Sequence, residues 1–108
     1  MRRIEPERGR QIDAFDSVDA WVRGVSRRVD QVVFIQIGPG GVLGRHPAAA
    51  QQLFAVVSGS GWVSGADGER ELVSTGDVVI WEPGEEHESG SDDGMTAIVV
   101  EAEELERL

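Results

Sequence analysis

The chain contains no cysteine, lysine, tyrosine or asparagine. Without cysteine there is no disulfide framework, no thiolate metal site and no sulfur nucleophile. Without lysine no Schiff base can form, without tyrosine there is no phenolic acid, and without asparagine there is no such side-chain ligand or oxyanion donor. Long apolar runs are absent too, which excludes a membrane-spanning helix. The opening Met-Arg-Arg-Ile-Glu-Pro-Glu-Arg lacks the apolar core of a secretory signal, so a cytoplasmic location is the expectation. Positive charge is scarce: 10 arginines stand against 20 acids, giving a net charge of −10 that repels phosphates and anionic lipids. Nucleic acid and membrane are therefore not the expected partners. Chemistry is left to two histidines, His46 and His87, to the carboxylates and arginines, and to bound species.

With 108 residues, of which 40% are hydrophobic and 28% charged, the chain is long enough for one core and too short for two. Residues 1–30 read as an N-terminal arm and edge strand, the first ten carrying alternating charge and almost nothing apolar. Between Asp13 and Val29 the spacing of Val18, Trp21, Val22, Val25 and Val29 suits either a helix or a twisted strand; a short turn or helix after Asp16, then a strand, is expected. From Asp30 onward the pattern is β. Val32–Ile37, Gln51–Ser58, Arg70–Val73, Val78–Trp81 and Thr96–Val100 are β-branched runs. They are punctuated by Gly38-Pro39-Gly40-Gly41, Gly59, Ala66-Asp67-Gly68 and Thr75-Gly76-Asp77. About eight short strands at this spacing predict a closed all-β barrel or sandwich. The acidic end, residues 101–108, is expected to form a short helical tail. Seven of the ten arginines precede Val29 and ten of the twenty acids follow Trp81. That split reads as two solvated faces, or as a basic segment docked on an acidic one in the same or a partner subunit.

Two stretches carry more information than the rest. The first runs Gly40, five residues, His46-Pro47-Ala48, three residues, Gln52, six residues, Gly59. The second runs Gly76, five residues, Glu82-Pro83-Gly84, two residues, His87, three residues, Ser91. If extended, His46, Ala48, Gln52, Phe54 and Val56 share one face. This paired pattern, in order and in register, resembles the two motifs of the cupin family, with a likeness that extends from about Val32 to Val100. The resemblance implies a double-stranded β-helix, a jelly-roll-like barrel over residues 31–108, usually dimeric, whose lumen holds a divalent transition metal and a small molecule. Family members range from dioxygenases, isomerases and decarboxylases to binding and sensing domains, so the fold does not choose the function.

The resemblance assigns His46, Gln52 and His87 to the metal site, but two ligand positions depart from the family pattern. Ala48 stands in place of a second histidine and Gln52 in place of a glutamate, while Ser91 replaces a frequent asparagine. A divalent ion, whether Zn, Ni, Fe, Mn or Cu, is therefore expected to be weakly bound or absent. Glu85, two residues before His87, is a remote substitute for the lost carboxylate. Gln36, Ala48, Phe54 and Trp81 are the expected ligand-pocket residues, the aromatics being core residues first. On strand parity Arg45 faces outward to a salt bridge. The expected function is a small-molecule-binding cupin barrel, homodimeric, with a degraded metal site. Two alternatives remain open: a metal-dependent enzyme of dioxygenase or isomerase type using His46, His87 and Gln52, and a structural or regulatory self-associating barrel.

Overall fold

The computed structural model describes residues 1–4 and 9–105, and every regular element among them is a strand. In chain order these are β1 (Arg2–Ile4), β2 (Arg10–Gln11), β3 (Trp21–Val22), β4 (Gln31–Ile37), β5 (Gly41–Pro47), β6 (Gln51–Ser64), β7 (Arg70–Ser74), β8 (Val78–Trp81), β9 (Glu86–Ser91) and β10 (Met95–Ala102). All pairings are antiparallel. One half of the barrel runs β1-β8-β6-β10-β4. The other is built on the far end of β6, with β7 on one side and β9, then β5, on the other.

Strand β6 belongs to both halves, and Gly59 is where it changes allegiance. Before it, Gln51–Ser58 pairs with β10; after it, Ser60–Ser64 pairs with β7. Gly59 has φ +81°, and a Cβ there would run into the carbonyl oxygen of Gly94, so only glycine makes the bend. The register between Thr96 and Ala97 skips Val57, a bulge that adds to the same bend. The sequence predicts a strand end at Gly59; instead one 14-residue strand turns a corner and carries on.

The register lays inward-facing side chains in rows across β4, β10 and β6. Gln31, Glu101 and Gln52 form one row, Val33, Val99 and Phe54 the next, and Ile35, Ala97 and Val56 the third. The rows deepen from polar to apolar: Phe54 is 1% exposed and Val56 3%. Burying a large apolar side chain of this kind contributes about 1.5–3 kcal/mol. Leu53, Ile80, Ala102 and Leu105 form a second cluster on the opposite side of the sheet, joined by Ile4 and Val25.

The N-terminal end follows the expectation and the C-terminal end departs from it. Arg2–Ile4, within the expected arm, is ordered as a strand paired with Val78–Ile80 of β8. Between Asp13 and Val29 the chain takes the turn-then-strand alternative and not the helix: Phe15 and Asp16 turn with φ near +58° and +55°, and Trp21–Val22 is the only strand. At the other end Glu101 and Ala102 complete β10, and Leu105 is buried beyond it; strand pairing and an apolar anchor win over the helical propensity of an acidic stretch. The last three residues of the expected helical tail lie outside the described residues.

Candidate functional site

His46 on β5 and His87 on β9 are direct cross-strand partners, so the pairing of these two strands sets the histidines side by side. Their ring centroids are 4.3 Å apart and tilted by 56°. The His46 Nδ1 lies 2.6 Å from the carbonyl oxygen of Gly44, and the His87 Nδ1 lies 3.1 Å from that of Glu85. A carbonyl only accepts, so each Nδ1 carries a proton and donates; whenever the ring is neutral, its Nε2 is then the lone-pair nitrogen. Both rings are thus held as acceptors or metal ligands. His87 is 3% exposed, and burial depresses its pKa below the ordinary histidine value, aided by the neighbouring His46 ring.

Trp81 stacks on His87 with centroids 4.3 Å apart and planes 27° from parallel, and Phe54 meets the indole edge-on at 5.4 Å. The indole Nε1 is buried without a protein hydrogen-bond partner. A donor left this way costs about 1–3 kcal/mol unless water or a ligand satisfies it.

These side chains border a cavity of about 170 Å³ between the two halves of the barrel. Its apolar wall includes Val33, Ile35, Leu43 and Val99; Ser89 sits beside His87, and the Gln31-Glu101-Gln52 row closes the polar end. The Gln52 Nε2 points to the Glu101 carboxylate at 3.5 Å, which leaves the Gln52 carbonyl oxygen available as an acceptor.

Of the residues singled out from sequence, His46, Gln52, Phe54, Trp81 and His87 all border this cavity. Gln36 and Ala48 do not. Gln36 is exposed on the outer face of β4, because the inward parity of that strand belongs to Val33, Ile35 and Ile37. Ala48 follows the end of β5 and is 2% exposed within the apolar core, its backbone amide bonded to the Glu85 carbonyl and its carbonyl to the Gly84 amide. It leaves no gap in the cavity wall.

Glu85 does not replace the lost carboxylate. Its oxygens accept from the backbone amides of Glu82 and Ala66 and pair with the Met1 ammonium. Burial alone would raise its pKa, but these donors together outweigh it and hold the carboxyl below the ordinary glutamate value. Arg45 turns outward, donating to Ser64 Oγ at 2.7 Å and the Gly65 carbonyl at 3.0 Å, with Glu88 at 3.8 Å. Ser91 serves the fold rather than the lumen. Its hydroxyl donates to the Ser60 carbonyl at 2.6 Å and accepts from the Gly94 amide at 2.7 Å, tying down the turn into β10.

The cavity carboxylate that sequence reading missed is Glu101. Its signal is its parity with Ala97 and Val99, two inward residues of a strand that runs on past the β-branched stretch predicting it.

The donor set bears directly on a metal. Two neutral imidazoles with free Nε2 atoms are sound first ligands, each oriented through Nδ1 by a backbone carbonyl as metal-binding histidines usually are. Beyond them stands the amide of Gln52 with Glu101 behind it, and among the described residues no three His, Asp or Glu side chains are grouped closely enough to hold an ion. The residues present therefore fall short of a resident metal centre of the three-ligand kind. Without a metal, the histidine pair and Glu101 can accept hydrogen bonds or a proton from a molecule in the cavity.

A double-stranded β-helix closed around a small, half-polar cavity defines a barrel that carries its site in its lumen. The cupin-domain family model matches residues 33–102, and the chain belongs to that family. Solved structures agree on the fold. An uncharacterized protein with a double-stranded β-helix domain from Klebsiella pneumoniae matches with a TM-score of 0.62 at 21% identity, over 87% of this chain and 90% of its own. A Cupin 2 conserved barrel domain protein from Salinispora arenicola matches with a TM-score of 0.58 at 24% identity, over 64% of this chain and 59% of its own. Salicylate 1,2-dioxygenase from Pseudoaminobacter salicylatoxidans matches with a TM-score of 0.62 at 16% identity, over 65% of this chain and only 19% of its own. A search of curated protein sequences found no match. No helix among the described residues is long and apolar enough to cross a membrane.

Proposed function

We propose that this protein binds a small organic molecule in its barrel lumen and does so without depending on a resident metal. The observation that carries the reading is the partly open cavity, about 170 Å³, in which an aromatic floor meets two histidines with unengaged Nε2 atoms. Space of that size suits a molecule of about one ring, since a dry cavity of roughly 150 Å³ accepts benzene. The apolar wall supplies burial and the polar groups supply orientation, the usual division of labour in small-molecule sites. A cytoplasmic, homodimeric barrel completes the reading. The dimer is supported by Val32 and Phe34, which are 57% and 71% exposed on the outer face of β4, a strand paired only with β10 among the described residues.

The test is a fragment screen of single-ring compounds, read by the NMR signals of the His46 and His87 rings, with Val99→Trp as the lumen-filling control. Ligands that shift both rings in the wild type and neither in the control are expected. A screen in which no compound moves either ring, or purified protein carrying a stoichiometric Fe, Mn or Zn ion that His87→Ala removes, would overturn the reading.

The metal-dependent alternative is favoured by one observation, the locked Nδ1–H tautomer of both histidines, which is the form a metal takes up. It needs a third strong ligand that Gln52 supplies only as a neutral oxygen.

A further inference from the structure

We infer that the lumen selects a small organic cation, an ammonium carried on about one ring, over neutral and anionic molecules of the same size. This rests on the lumen-binding reading above and adds to it the charge of the ligand. Among the residues that border the cavity, Glu101 is the only ionisable one apart from the two histidines: no arginine lines it and the chain has no lysine. Arg45, next to His46 in sequence, is not in the lining and is engaged elsewhere by Ser64, Gly65 and Glu88.

The uncharged polar groups lean the same way. His46 and His87 turn their Nδ1–H groups onto backbone carbonyls and, as neutral rings, present acceptor nitrogens. Gln52 directs its amide N–H₂ at Glu101 and keeps its carbonyl free. An entering carboxylate would therefore meet a carboxylate and, on neutral rings, two imidazole lone pairs, with Ser89, the unpartnered Trp81 indole N–H and the amides of Gln31 and Gln52 as its side-chain donors. An ammonium group finds acceptors in Glu101, the Gln52 carbonyl and the neutral histidine rings, and the aromatic side chains of Trp81 and Phe54 also favour positive charge. The net charge of −10 draws cations toward the barrel from a distance.

Cross-strand register explains why the charge sits where it does. Glu101 lies between Gln31 and Gln52 on neighbouring strands, so its carboxylate stands at the polar end of the lumen, one row above Val99 and Phe54. A ring seated on that apolar row places a one-carbon-linked ammonium at the level of Glu101.

The experiment uses three probes of nearly equal shape, benzylammonium, benzyl alcohol and benzoate, titrated into chelator-treated full-length protein and into Glu101→Gln and Val99→Trp. Binding is read from the His46 and His87 ring signals and from calorimetry. Benzylammonium is expected to bind at least about tenfold more tightly than benzyl alcohol, a margin in keeping with a charge-assisted hydrogen bond. Benzoate is expected to be the weakest, and in Glu101→Gln the ammonium-to-alcohol ratio should fall to within about threefold, since only the neutral contacts remain. If benzoate binds best, if the three bind alike, or if the ratio survives in Glu101→Gln, the charge inference is wrong while lumen binding stands. If no probe moves the histidine signals, or if Val99→Trp leaves the shifts intact, lumen binding itself fails and the charge inference with it.

Discussion

Replacing Gln52 with glutamate tests whether a single missing charge separates this lumen from a metal centre. In the metal-free protein the change is costly. Gln52 now donates to Glu101 at 3.5 Å; in the variant two carboxylates face each other at that range. At an effective dielectric of about 20 the bare repulsion is roughly 5 kcal/mol. Both groups are half-exposed, however, and can share a proton or rotate toward water, so a net loss of about 1–2 kcal/mol is the reasonable figure. For a domain of this size that corresponds to a fall in Tm of about 5–15 °C. Metal should reverse the sign. With His46 and His87 presenting Nε2 atoms and a carboxylate now at position 52, the site has two imidazoles and one anionic oxygen, and an ion at about a hundred times its Kd would stabilise the fold by about 2.7 kcal/mol. The assay is thermal unfolding of wild type and Gln52→Glu, each with chelator and with graded Zn, alongside direct metal analysis. The expected result is a variant that melts lower than wild type in chelator and gains about 10–20 °C with Zn, while wild type moves little. A variant that is destabilised and gains nothing from Zn would refute the idea that position 52 and the two rings converge on one point. Equal gains in both proteins would show that the amide already suffices.

Two further outcomes concern groups outside that comparison. Because burial lowers the pKa of His87, the unfolded chain takes up a proton that the native ring resists; its contribution to stability is complete above pH 6.5 and is lost as pH falls through the depressed native value. Tm measured against pH should show this loss in wild type and not in His87→Gln, and an unchanged profile in the variant would assign the loss elsewhere; Glu85, with its lowered pKa, acts below pH 4.5. Phe34→Glu should shift the protein from dimer to monomer in sedimentation without lowering Tm by more than about 0.5 kcal/mol equivalent, since Phe34 is 71% exposed, and a dimer that persists would place the interface on another face.

The fold was legible where glycine and histidine fall in a fixed order, because those residues answer to backbone geometry. Gly40, Gly76 and Gly84 all take positive φ at turns, and the two histidines stand opposite each other because β5 and β9 must pair to close the barrel. Lumen parity was harder to read, and strand β4 shows why. Its inward residues Val33, Ile35 and Ile37 are apolar, but so are the outward Val32 and Phe34, so hydrophobicity alternates nowhere and the polar Gln36 looked like the lumen residue. The same exposed residues that hid the parity are the ones that motivate a partner surface. Ala48 misled in a different way: parity with His46 holds only while the strand is extended, and β5 ends at Pro47.

The two altered ligand positions are therefore not equivalent. Ala48 lies in the apolar core, tied by its backbone to Gly84 and Glu85 at the foot of β9, so the side chain there is constrained by packing and a larger polar one would meet the core before it met an ion. Gln52 borders the cavity and answers to the lumen's electrostatics: beside Glu101, a second carboxylate is unfavourable unless a cation lies between them. A neutral amide at 52 with a carboxylate at 101 keeps one negative charge in the cavity, held in place by the amide itself. A single fixed charge of that kind suits a monovalent organic cation better than a divalent metal, whose site needs more anionic or imidazole donors than this lumen assembles. On the proposed reading, the neutral amide at 52 and the lone carboxylate at 101 together set the charge of the ligand that the lumen favours.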